Sequence, residues 1–223
     1  MRRRILVAAL AATFASCGGV SPRLGPIPSE PSSIQGDGSL TLSGPDGSGR
    51  SRFAFVLLPP GRARIDVFDP LGRLAYFLLV ADSEALLAVP SKRVFGRSSR
   101  DDVFARFLGF GLSASEMASL LTGSWPDGAA TEDAPGWILH RDGRNRVAAA
   151  ERGELRLEIR EFFGDSPAPR LVAFTQAGLL GRLKIRRLAF DGVGPGAADE
   201  AVLLKGYRER PWLELEALFG DED

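Results

Sequence analysis

From residue 52 onward, apolar side chains return at every second position in one short run after another, the period that lines them along one face of a β-strand. Phe53, Phe55 and Leu57 fall on one face while Arg52, Ala54 and Val56 fall on the other, and Pro59-Pro60-Gly61 then forces a turn. Ile65 and Val67 alternate with Arg64 and Asp66 up to Asp69-Pro70-Leu71-Gly72, whose Pro and Gly suit a tight turn. Leu74, Tyr76 and Leu78 mark a third strand and residues 86–89 a fourth, which together read as an antiparallel meander. Strands resume at 137–140 and 146–150, then at 155–160, where Leu155, Leu157 and Ile159 alternate with Arg156, Glu158 and Arg160. Runs at 170–175 and 183–190 complete the set, and the doublet Arg186-Arg187 predicts a β-bulge in the last one.

Two helical segments divide the meander. Residues 101–107 carry Val103, Phe104 and Phe107 at helical spacing, with Asp101 and Asp102 where carboxylates favour a helix N-terminus. Residues 113–121 open with Ser113-Ala114-Ser115-Glu116, a capping-box pattern, and Met117, Leu120 and Leu121 give this helix one apolar face. A stretch rich in turn residues follows at 127–136. A sheet with one apolar face must cover it, and two short helices in mid-chain could lie across it. Two α+β architectures satisfy this. One is a curved antiparallel sheet, a half-barrel, with the helices covering its concave face; the other is an ordinary packed α+β core.

Composition narrows the function classes. The 223 residues carry 28 basic and 28 acidic side chains, so no chain-wide positive field exists to gather nucleic acid. The single Cys17 excludes an internal disulfide and a thiolate-rich metal site, and the lone His140 leaves no histidine pair for zinc. His140 ends a strand beside Arg141 and reads as a surface residue. There is no nucleophile elbow and no phosphate-cradling loop, and Gly109-Phe110-Gly111 is too short a glycine pattern for a nucleotide. No catalytic residue, metal or cofactor is expected; the chain is expected not to be an enzyme and to be a monomer.

The N-terminus points to a cell envelope. Arg2, Arg3 and Arg4 precede an apolar run, 5–14, that is too short to span a bilayer and closes on Ala15-Ser16 before Cys17. From 18 to about 38 the chain is rich in Gly, Pro and Ser and lacks hydrophobic periodicity, which reads as a tether. The expected division is a signal segment over 1–16, Cys17 with a tether over 17–38, a folded domain over 39–198, and a C-terminal extension over 199–223.

Phe14-Ala15-Ser16-Cys17 resembles a bacterial lipobox, with Phe14 where Leu is usual, which implies acylation of Cys17 and cleavage before it. Gly18 and Gly19 follow, without the Asp that retains lipoproteins on the inner membrane in the enteric sorting rule, so outer-membrane delivery is implied. Residues 52–126 resemble the LolB family of outer-membrane lipoprotein receptors and, more loosely, their soluble LolA carriers. The resemblance rests on an ordered set: the strand Arg52-Phe53-Ala54-Phe55, the strand Arg64-Ile65-Asp66-Val67, the turn Asp69-Pro70-Leu71-Gly72, where LolB has Asn-Pro-Leu-Gly, and the helix-joining stretch 107–113 with 117–123. It runs on more loosely through 137–190, and residues after about 199 extend beyond it.

The resemblance implies a half-barrel around an apolar cavity that takes acylated lipoproteins or lipid acyl chains, received from a LolA-like periplasmic carrier. It also implies a protein held on the periplasmic side of the outer membrane by its lipid anchor. In LolB the leucine of the matching turn is needed to insert the delivered lipoprotein, which places that role on Leu71, between Pro70 and Gly72. Read locally, the same turn would let Leu71 fold back on the sheet. The candidate cavity wall is Phe53, Phe55, Ile65, Val67, Leu74, Tyr76 and Leu78 from strands, with Phe104, Phe107, Met117 and Leu120 from helices; as ordinary residues of a β and helix pattern they would instead form a closed core. Two rival readings accompany delivery: a half-barrel that binds or senses a hydrophobic ligand without delivering it, and a structural envelope lipoprotein with a solid core.

Overall fold

The alternating runs do form strands, and more of them than the alternation alone marks. A computed structural model describes residues 24–45, 47–81, 83–108, 110–125 and 136–217, with the side chains of 105–108 and 216–217 outside the description. The signal segment, Cys17, the first part of the tether and the Phe107 side chain therefore lie outside the described residues, as does most of the turn-rich stretch before residue 136.

The first half of the chain supplies β1 (Ile34–Gly44), β2 (Gly47–Leu58), β3 (Arg62–Phe68), β4 (Leu74–Ala81), β5 (Glu84–Val89) and β6 (Val94–Ser99). Two helices follow, α1 (Arg100–Leu108) and α2 (Ala114–Thr122). The second half supplies β7 (Ile138–Arg141), β8 (Val147–Arg152), β9 (Leu155–Phe162), β10 (Pro169–Gln176) and β11 (Leu179–Phe190), then α3 (Glu200–Leu203), β12 (Arg208–Glu209) and α4 (Trp212–Ala217). All twelve strands belong to one sheet in the order β12-β6-β5-β4-β3-β2-β1-β11-β10-β9-β8-β7, antiparallel except where β12 joins β6. The two halves meet where β1 pairs with β11. Among the described residues the sheet does not close, because β12 and β7 end the order without pairing to each other.

Curvature follows from what the inner face encloses. Strands about 4.8 Å apart would set β4 and β9 roughly 29 Å from each other in a flat sheet. Yet Leu78 of β4 and Leu157 of β9 face one interior space, and Phe163, just after β9, belongs to the same core cluster as Leu87 and Val94 of β5 and β6.

The tether was expected to run to residue 38, but β1 starts at Ile34, which is fully buried. The Gln35-Gly36-Asp37-Gly38 run hides a strand because its inward positions are glycines. Gly36 pairs with Phe55 and Gly38 with Phe53, and each phenyl ring folds over its glycine so closely that an added Cβ would meet ring carbon at 2.7 Å. Gly181 opposite Phe174 repeats the arrangement. Ring and glycine together supply the apolar surface that two ordinary side chains would otherwise give. The expected bulge is present: register shifts between Asp37 and Gly38, opposite the Arg186-Arg187 doublet, and both arginines pair with Asp37, at 2.7 and 2.5 Å.

The extension after 198 is part of the sheet's packing. Leu203, Leu204 and Tyr207 cover the outer-face cluster of Phe77, Leu79, Leu86, Ala88 and Phe95. The chain then adds β12 to the edge of β6, and Leu215 of α4, 1% exposed, joins the inner cluster. Gly96 on β6 admits that leucine, since a Cβ there would lie 3.1 Å from its Cδ1. Among the described residues no helix is long and apolar enough to cross a membrane.

Candidate functional site

The inner face leaves space unfilled. A cavity of about 440 Å3 lies among residues of β1 to β4 and β9 to β11 together with α1 and α2, within the range of about 300–1,000 Å3 typical of small-molecule sites. Of the expected wall residues, Phe53, Phe55, Ile65, Val67, Tyr76 and Leu78 border it from the strands, and Phe104, Met117 and Leu120 border it from the helices. Its polar groups are few: the Ser51 side chain and the Tyr76 phenol, which burial pushes up to about 12 and so keeps neutral. Among the described residues the wall presents no charged side chain, a lining suited to hydrocarbon rather than to an ion.

Leu74 does not line the cavity. A register shift between Val67 and Phe68 sets Leu74 opposite Phe68, and its side chain packs on the same outer cluster as Leu203, Leu204 and Tyr207. An extra residue in one strand reverses the faces of everything beyond it, so strict alternation through Leu74, Tyr76 and Leu78 fails at its first member. Expectation also missed Leu40, Leu42, Val172, Leu183 and Ile185, which complete the far wall. The alternation of β10 and β11 carries the last three inward; no local signal says that the two halves of the chain enclose one space.

Helix α2 is fixed at its start by the expected capping box: the Glu116 amide donates to Ser113 Oγ at 3.1 Å and the Ser113 amide donates to Glu116 Oε2 at 2.7 Å. Glu116 has a second task that sequence reading missed. Its Oε1 accepts from Trp137 Nε1 at 2.8 Å and pairs with Arg152 of β8. Arg152 also donates to the Gly111 carbonyl at 2.7 Å and stacks its guanidinium over the Trp137 ring at 4.5 Å. These residues are 15 to 41 positions apart in the chain, so spacing could not announce them. They tie the first turn of α2 to the β7–β8 edge, while Leu120 joins the β8–β10 cluster and Leu121 the β1–β6 cluster.

At one end of β3 and β4 the turn holds Leu71 outward, 78% exposed. The Gly72 amide donates to the Asp69 carbonyl and the Asp69 amide to the Arg73 carbonyl, both at 2.9 Å, with Gly72 at φ 84. Asp69 Oδ1 accepts from the Arg73 amide at 2.9 Å and Oδ2 from Arg73 Nε at 2.7 Å. Hydrogen bonding from the Arg73 backbone, then from its side chain, holds the Asp69 carboxyl below its ordinary range. Pro70 is exposed beside the leucine. His140 is more than half exposed and lies 3.5 Å from Glu151, away from the cavity wall.

No protein-family model matches the chain, and no curated protein matches it in sequence. Solved structures do match its fold. An outer membrane lipoprotein-sorting protein domain from Vibrio parahaemolyticus superposes with a TM-score of 0.57 at 14% identity, over 77% of this chain and 91% of that one. A LolA superfamily protein from Nitrosomonas europaea gives 0.53 at 13% identity, over 76% and 91%. A DUF1329 family protein from Desulfovibrio piger gives 0.56 at 11% identity, over 78% and 92%. The chain has the fold of the LolA superfamily, a large, open, curved and mostly antiparallel sheet with a few short helices.

Proposed function

We propose that this protein is a lipid-anchored acceptor of acylated lipoproteins, which takes their acyl chains into the cavity and delivers them to the outer membrane. The observation that supports the reading is an apolar cavity of about 440 Å3 bordered by strands of both sheet halves and by residues of α1 and α2. A chain of about sixteen carbons forfeits on the order of 12 kcal/mol in water at about 0.8 kcal/mol per methylene. A carrier of such chains must therefore offer a wall without charge and transfer its guest with little exposure. In this reading α1 and α2 cover the concave face, Cys17 carries the anchor, and Leu71 enters the hydrocarbon at the moment of delivery. An exposed leucine on a turn costs the fold little and gains about 1.5–3 kcal/mol when buried in another apolar medium. No chemical step is required, and the protein acts as a monomer with a LolA-like carrier as its donor.

Depletion of the protein tests the reading in cells. Accumulation of other lipoproteins in the periplasm or inner membrane supports delivery, whereas normal sorting rejects it. Full sorting activity in a Leu71→Glu strain would instead favour a half-barrel that binds acyl chains without inserting them.

A further inference from the structure

A second hollow, of about 460 Å3, lies on the other face of the sheet. Thr41, Arg182, Ala173 and Glu158 line it and stand in one register row across β1, β11, β10 and β9. Their chain neighbours Leu40 and Leu183 line the apolar cavity, so alternation puts this hollow on the opposite side. One row of this outer face reads Arg50, Thr41, Arg182, and the next reads Arg52, Ser39, Lys184. With strands about 4.8 Å apart and alternate residues about 6.8 Å apart, the four cations frame Ser39 and Thr41 in an area of roughly 10 by 7 Å.

All four are exposed, and among the described residues none of them forms an ion pair. The carboxylate in the hollow, Glu158, is already paired with Arg156, at 3.0 Å, and with Arg160. The frame is also continuous with apolar tips. Arg52 lies against the Leu71 turn, where a Cβ added to Gly72 would meet its Nη2 at 2.7 Å, and Leu180, 56% exposed, borders the hollow.

We propose that this outer face is a docking site for an anionic phospholipid surface, with the frame of Arg50, Arg52, Arg182 and Lys184 meeting headgroup phosphates while Leu71 and Leu180 dip between them. A free anion would use the charges and hydroxyls but not the leucines; a neutral membrane would use the leucines but leave four cations unanswered. An anionic bilayer answers both. The proposal deepens the delivery reading, on which it rests for the direction in which Leu71 faces, by naming the lipid class that orients the protein.

The test uses the chain from residue 17 onward with Cys17→Ser, which lacks both the expected anchor and the basic, apolar signal segment, mixed with vesicles of phosphatidylcholine alone or with phosphatidylglycerol added. The protein should sediment more strongly with the anionic vesicles, and high salt should remove that excess. Arg50→Gln and Arg182→Gln should each weaken anionic binding by about fivefold while leaving neutral binding unchanged, and Leu71→Glu should weaken both. Both glutamine changes lie on exposed sites, and unchanged circular dichroism confirms the fold. Equal binding to the two vesicles, or anionic binding indifferent to both glutamine variants, overturns the proposal. So does saturable binding of inorganic phosphate at the same arginines without any vesicle preference. Failure of the carrier reading shows separately, as absence of a bound acyl chain, and leaves the vesicle preference standing.

Discussion

At Gly36, Gly38 and Gly181 the side chain is missing so that a phenyl ring from the next strand can lie flat. A valine at position 38 would drive the Phe53 ring toward the cavity and press on the Lys184 carbonyl. Gly38→Val should therefore cost about 1–3 kcal/mol, the usual range for overpacking, read as a lowered urea midpoint with an unchanged slope. Leu71 makes the opposite case. Because it is 78% exposed, Leu71→Glu should shift stability by no more than about 0.5 kcal/mol and act on membrane contact alone. Asp69 sets a pH limit on that turn. Its carboxyl is held below the unfolded value, so its contribution is fully present above the unfolded pKa and is lost as pH falls through the folded one. Amide exchange at Gly72 and Arg73 should thus stay protected at neutral pH and speed up below the ordinary carboxylate range; constant protection into strong acid would contradict the assignment. The residues flanking Leu71 were legible from sequence because Pro and Gly dictate a turn locally. Leu74 was not, because a bulge in the pairing of β3 with β4 decides its face.

Helix α2 is specified twice, once in a way the sequence displays and once in a way it conceals. The capping box reads directly from Ser113 and Glu116, since its partners are three residues apart. The Glu116–Arg152–Trp137 group depends on how β7 and β8 fold back, and no spacing encodes that. Glu116→Ala removes both functions and should cost about 2 kcal/mol, with a red shift of tryptophan emission as Trp137 loses its partner. The C-terminal segment shows the same division. Its residues looked like an appendage because no alternation marks them, yet Leu215 is buried against β6. Leu215→Ala should cost about 2–5 kcal/mol, as for other core leucines; a neutral result would mean that the segment only rests on the sheet.

For the molecule as a whole, alternation gave most strands from β2 onward and both mid-chain helices showed their own spacing, while the order β2-β1-β11-β10 came from no local pattern. That junction joins the two halves and bends the sheet, and with it comes the far cavity wall of Leu40, Val172, Leu183 and Ile185. The choice between a filled core and an open half-barrel is a matter of summed side-chain volume across seven strands, which periodicity cannot report. The proposed carrier role stands on that open volume. Titrating the protein with a fluorescent long-chain fatty acid measures it: one saturable site should appear, and Leu120→Trp, which puts an indole into the cavity, should abolish it while the circular dichroism stays native. An absence of saturable binding, or binding untouched by the filled cavity, would contradict the account.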